Sequence, residues 1–220
     1  MMTSTEFLLW VKGTGFTLAI AVFAAGIVLR LAEIWSLGRK PDLAEAKGNA
    51  NTAGVRTIFN RFIPDKGIWD RSAFIIIAAW FFHVGLFVVI FFFVPHILLI
   101  DSIIGLQWPG LPTPIVDAFA VITMVGLLAM LFHRITQPVK KYLSTFEDYL
   151  VWAVTFLPLL TGYLAYHRLL FSPDMLLAMH ILSVELLLVL LPFTKLSHSF
   201  TFLLARWYNG AISGFRGVQS

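Results

Sequence analysis

The chain has no cysteine. That excludes disulfides, thiolate metal centres and cysteine-held iron–sulfur clusters within it. Charge is also scarce: Asp, Glu, Lys and Arg make up 13% of the 220 residues, against about a quarter in soluble domains. The longest polar stretch, about Ser36 to Asp70, is too short for a separate soluble catalytic domain. The net charge of +4 is not gathered into a basic patch interleaved with exposed aromatics, which argues against nucleic acid as a partner. No nucleophile, base and orienting group stand together as hydrolysis requires. The segment Met1 to Gly13 lacks a basic n-region and a small-residue cleavage site, so it is read as retained.

What the chain has instead is apolar length. Hydrophobic residues make up 59% of it, mean hydropathy is +0.84, and several runs reach the ~20 residues that cross a bilayer. The reading is an all-α membrane protein, one integral-membrane domain over 1–220. Its five transmembrane helices are expected at about 14–34, 72–100, 115–133, 148–166 and 174–198, with a loop at 36–71 and a tail at 201–220. Thr113-Pro114 and Ser172-Pro173 read as caps followed by a first-turn proline, Ser144-Thr-Phe-Glu147 has capping-box form, and Gly210 reads as a helix stop. Val55 to Ile63 mixes apolar and basic residues as an interfacial amphipathic helix would. With five spans, every Lys and Arg except Lys12 and Arg168 falls on one side. The positive-inside rule then puts the N-terminus outside and the C-terminus in the cytoplasm.

Histidine is the metal ligand that remains, and there are six. His180 and His198 are 18 residues apart, five whole turns of one continuous helix, which would put both rings on one face roughly 27 Å apart along the axis. Span two carries His83 and His96 and runs the other way. His83 and His198 therefore fall in the cytoplasmic half, His96 and His180 in the outer half. Intramembrane histidines are costly and scarce, and two pairs at matching depth are what two six-coordinate haems need. The expected architecture is a four-helix core around two haems of b type, with small residues such as Gly85 admitting the porphyrin to the backbone. His83 and His96 are 13 residues apart, ~220° around an ideal helix, so Pro95 has to kink or rewind that turn to re-aim His96.

The sequence Phe82-His83-Val84-Gly85 with a second histidine, Met179-His180, and Leu191-Pro-Phe-Thr-Lys-Leu-Ser-His198 resembles the gamma subunit, a cytochrome b, of respiratory nitrate reductase. The likeness extends to relatives in heterodisulfide-reductase-type and sulfur-metabolism membrane complexes, and it covers nearly the whole chain. Two features differ: Pro95 stands where the nitrate enzymes have glycine, and no lysine occurs between Lys66 and Lys140. The resemblance implies iron ligands His83 with His198 and His96 with His180. It also implies electron transfer between membrane quinol or quinone and a cytoplasmic iron–sulfur or catalytic partner, in a prokaryotic inner membrane.

The remaining candidates are read beside the alternatives they leave open. Arg134 is placed to bond haem propionates or simply to snorkel at the interface. Glu185, the deepest carboxylate, is a proton or quinol site or a packed neutral carboxyl. Asp101 and Gln107 are outer-edge candidates for quinol protons. His133 and His167 sit at span ends, in contact with headgroups, with a propionate or quinone, or substituting for His96. A cytochrome b of a hydrogenase or sulfur-cycle complex, and a haem-free anchor or proton relay, are the competing functional readings.

Overall fold

A computed structural model describes residues 3–38 and 42–218; Arg39 and Lys40, part of the expected basic loop, lie outside the described residues. Among the described residues the structure is helical, without strands. Five helices are long and apolar enough to cross a membrane: Ser4–Ser36, Lys66–Phe92, Thr113–Thr136, Phe146–His167 and Pro173–Phe193.

The first begins about ten residues before the expected boundary, because Thr3 and Glu6 form a reciprocal capping box. It consists of α1 (Ser4–Trp10), a π-helical turn (Val11–Gly15) and α2 (Phe16–Ser36). Next come α3 (Ala50–Asn60) and α4 (Lys66–Phe92), the latter interrupted at Ser72 by non-helical backbone. Then follow α5 (Val94–Ile104), α6 (Thr113–Thr136), α7 (Pro138–Leu143) and α8 (Phe146–His167). The capping box that opens α8 is Thr145 with Asp148, one residue beyond the expected pair.

The last expected span requires correction. It is not one helix from 174 to 198. The helix α9 (Pro173–Leu190) gives way to a 3-10 turn at Leu191–Phe193, Thr194 is extended, and a second 3-10 turn at Lys195–Ser197 precedes α10 (His198–Phe215). Pro192 has no N–H to donate and its ring crowds the preceding turn, and here the ladder breaks at it, whereas α8 runs on through Pro158. His180 and His198 therefore belong to different helices, and the single-face argument for them does not hold.

The chain divides into two compact units, Met1–Ala21 with Ser72–Val189 and Val22–Arg71 with Leu190–Ser220. In the first, α4, α6 and α8 pack around Phe82, Leu127 and Leu159, and the Trp152 indole N–H donates to the Leu127 carbonyl at 2.8 Å. Helices in lipid gain by letting backbones approach at small residues. Gly126 meets Ala78 O, and Gly85 meets the fully buried Thr123. Each buried threonine hydroxyl is satisfied by its own helix, as apolar surroundings demand: Thr123 to Phe119 O at 2.6 Å, Thr155 to Val151 O at 2.8 Å. Thr5 Oγ1 donates to Asp174 Oδ2 at 2.7 Å and Gly15 lies against Glu185, so the first helix and α9 run in the same direction. That is what the first and fifth of five spans must do.

In the second unit α3 and α10 form a tight pair. Gly54 accepts the Trp207 indole, and Gly210 and Gly214 accept Thr57 and Ala53. Gly210 is thus a contact point inside α10, not the helix stop expected from its type: the helix runs on to Phe215 because Gly210 spends its missing side chain on the approach of α3. Arg206 donates to Ile58 O at 3.0 Å and stands 4.3 Å from the Phe62 ring centre, which covers the end of α3. Arg216 bonds Asp42 at 3.0 Å, and the amide N–H of Ala44 together with that guanidinium holds the Asp42 carboxyl below the usual aspartate range.

A methyl group at position 85 would collide with Thr123. Gly85→Ala is expected to destabilise the first unit by about 1–3 kcal/mol, the usual range for overpacking, and Thr123→Ala in the same chain to recover part of it. Thermal unfolding in detergent, followed by tryptophan fluorescence, measures both; equal stability of Gly85→Ala and wild type would refute the packing.

Candidate functional site

The site begins with a break in a helix. Phe93 is extended, at φ −80° and ψ 121°, between α4 and α5, with Pro95 in the first turn of α5. Away from water, each carbonyl freed by such a break needs a new donor. The Trp108 indole N–H reaches Phe91 O at 2.6 Å, and the Leu111 amide reaches Phe92 O at 3.0 Å. The ring of His96 supplies a third donor: its Nδ1–H bonds Val89 O, seven residues back, at 2.9 Å. The loop before α6 thus folds back onto the break and holds it open.

The break turns His96 toward α9. The His96 and His180 rings lie 6.1 Å apart, centre to centre, with an 18° angle between their planes. Phe93 packs edge-on against His96 at 5.2 Å and against Tyr166 at 5.5 Å. His180 has its own support. It lies on Gly162 of α8, where a Cβ would stand 2.9 Å from its Cε1, so any larger residue would displace the ring. Its Nδ1 is 3.4 Å from Thr161 Oγ1, which also meets Ser183 Oγ at 2.9 Å, and Ser183 donates to His180 O at 2.7 Å.

His83 and His198 lie in different units, so each is described by itself. His83 Nδ1 bonds Ala79 O at 2.7 Å on its own helix, and Phe82 stands edge-on to its ring at 4.7 Å. His198 is the first residue of α10 and its Nδ1 bonds Lys195 O at 2.7 Å. A carbonyl accepts only an N–H, so in His83, His96 and His198 Nδ1 carries a proton. His180 Nδ1 faces a hydroxyl, which can donate or accept. A histidine that ligates metal through Nε2 is commonly oriented by such an oxygen at Nδ1.

Two neighbouring imidazoles are a donor set of the chemical kind that holds a haem. Among the described residues no three His, Asp or Glu side chains gather to hold a bare metal ion, but a macrocycle needs only two axial protein ligands. His96 and His180 are the two residues that would hold such a group, which would supply a one-electron carrier there.

The other candidates are placed differently. His167 directs Nε2 at Asp117, 3.0 Å from each carboxylate oxygen, and packs against Tyr163 and Tyr166. His133 packs against Phe74 at 5.5 Å. Neither is drawn to the His96–His180 pair. Arg134 bonds Ser144 at 3.0 Å and Asp148 at 3.4 Å. It also lowers the ammonium pKa of neighbouring Lys140, second to the effect of burial. Gly85, the expected point of porphyrin approach, lies against α6, where Thr123 occupies the space its absent side chain leaves. Asp101 is half-buried on α5 and Gln107 is exposed in the loop that follows. Glu185 is buried, 5% exposed, against Gly15. Sequence reasoning missed Trp108, Thr161, Gly162 and Ser183. The Thr161-Gly162 pair inside an apolar run was the available signal, since small and hydroxylated residues mark close approach in membranes.

Trp108→Phe keeps the ring but leaves Phe91 O without its donor. It is expected to lower stability by about 1–3 kcal/mol in the same fluorescence assay, whereas Trp10→Phe, at a half-exposed position with no such bond, should cost far less. Equal losses would remove the indole from its place in the break.

No family model matches the chain, and no solved structure matches it. Over 197 residues, 86% of this chain and 85% of the relative, it is 30% identical to a curated protein of Nitratidesulfovibrio vulgaris whose name, "Protein", states no activity. Likeness of that extent over that length places the chain in one family with the Nitratidesulfovibrio vulgaris protein.

Proposed function

We propose that the chain is the di-haem b membrane-anchor subunit of a respiratory redox complex, similar to the nitrate reductase gamma subunit and its sulfur-metabolism relatives. It passes electrons between a membrane quinol or quinone pool and a cytoplasmic iron–sulfur or catalytic partner. The observation that carries this reading is the His96–His180 pair, 6.1 Å apart and nearly parallel, each ring held through Nδ1. A haem held between two imidazoles supplies a one-electron carrier whose potential follows its ligands and burial.

This chain's own residues do the positioning. Phe93 and the Trp108 loop aim His96, while Gly162, Thr161 and Ser183 seat His180. His83 and His198 are assigned to the second haem on the sequence resemblance alone. Arg134, which bonds Ser144, is assigned to that haem's propionates on its position in the sequence. Asp101 and Gln107 are assigned to the quinol side. The charge distribution supports an N-terminus outside and a C-terminus in the cytoplasm of a prokaryotic inner membrane. The partner docks on the 36–71 loop and the tail from Thr201.

Colour tests the reading. A reduced-minus-oxidised spectrum of the purified chain is expected to show b-type α-band absorption from two haems. His96→Ala and His180→Ala are each expected to remove the same one, His83→Ala and His198→Ala the other, and His133→Ala and His167→Ala neither. A wild-type protein without the α-band would leave a haem-free anchor. Menaquinol analogues should reduce the bound haems, and failure there would favour a hydrogenase- or sulfur-linked donor.

A further inference from the structure

Glu185 is the deepest carboxylate of the chain and plays no part in the histidine sites. It stands twelve residues into Pro173–Phe193, about 18 Å from the start of that span and so near mid-depth of a ~30 Å hydrocarbon core. It is 5% exposed, and Oε1 is buried without a hydrogen-bond partner. Both carboxyl oxygens lie over Gly15, at 3.0 Å and 3.1 Å from where a Cβ would be, so a side chain there would have to push the carboxyl aside by a few tenths of an ångström.

Gly15 closes the π-turn Val11–Gly15, whose Val11 is completely buried, and such one-turn insertions concentrate at functional sites. The charged and titratable groups of the two elements that meet here do not pair with Glu185. Glu6 is engaged with Thr3, Asp174 with Thr5, and Lys12 is on the exposed side of the π-turn. His180 is turned to Thr161 and His96. An intramembrane carboxyl so placed is costly as a bare anion and contributes no ion pair to packing. What a buried carboxyl oxygen without a partner accepts most readily is a proton.

We propose that Glu185, seated on Gly15, is a proton-binding site in the membrane interior whose loading follows the charge at the His96–His180 pair. The coupling half of this rests on the functional reading above. Five residues of helix separate Glu185 from His180, roughly 8 Å of axial rise. At an effective dielectric constant of about 20, one unit of charge roughly 10 Å away changes proton affinity about tenfold. A tenfold change in affinity moves at most about half a proton per electron: when an electron from quinol reaches the pair, a proton released by that quinol binds the Glu185 carboxylate in up to about half of the molecules, and it leaves when the electron does.

Infrared spectroscopy of the full chain in lipid nanodiscs tests the site without any bound group. A carboxylic-acid carbonyl band that shifts in deuterated water and fades as pH rises is expected in the wild type and absent in Glu185→Gln. Gly15→Ala, which adds a methyl against both oxygens, is expected to move it. Identical wild-type and Glu185→Gln spectra overturn the proton site. The coupling is read from reduction potentials of the coloured protein. The potential assigned to the His96–His180 centre should vary with pH in the wild type and lose that dependence in Glu185→Gln. An unchanged dependence overturns the coupling while the functional reading stands. A colourless wild type overturns the functional reading and the coupling with it, and the infrared band then decides the proton site alone.

Discussion

Backbone hydrogen bonds that find no water are the constraint on which this structure turns. In an apolar environment each interrupted helix must re-pair its freed carbonyls from within the protein. At Phe93 they are taken up by the Trp108 indole, the Leu111 amide and the imidazole of His96. The break is therefore a built joint with three donors assigned to it. One of those donors is a histidine, which the joint both orients and commits to one tautomer.

The same economy runs through the neighbouring elements. Thr161 and Ser183 meet beside His180 with Leu157 O and His180 O as carbonyl partners, and Thr123 and Thr155 bond their own helices. Glycines appear where something must come close: Gly162 under an imidazole, Gly85 under Thr123, Gly15 under a carboxyl. Of these three, two lie against ionisable side chains and one against a threonine. Glu185 Oε1 stands apart from the pattern, a buried polar atom left without a partner in a protein that pairs others with care.

Much of the architecture was legible in the residues. Long apolar runs with few charges gave five helices near the expected places, because a span's length is set by a bilayer and needs no tertiary information. Their boundaries shifted where short-range chemistry was read past. Thr3 with Glu6 extends the first helix by about ten residues, and Thr145 with Asp148 caps α8 in place of the expected pair. The histidines were found as the scarce polar groups of apolar helices, and Pro95 was recognised as the residue that had to re-aim His96.

The geometry reversed which helix satisfied the periodicity argument. By position alone His180 and His198 shared a face, yet Pro192 and the extended Thr194 divide them between two helices. By position alone His83 and His96 were out of phase, yet the break at Phe93 sets His96 beside His180. Composition and run length determined class, span number and candidate ligands, since these follow from the transfer of side chains between water and lipid. Where a helix stops being a helix, and which ring then meets which, was decided by tertiary structure. The donors that stabilise a break come from distant residues: Trp108 for Phe91, and Gly162 of another helix for the seat of His180.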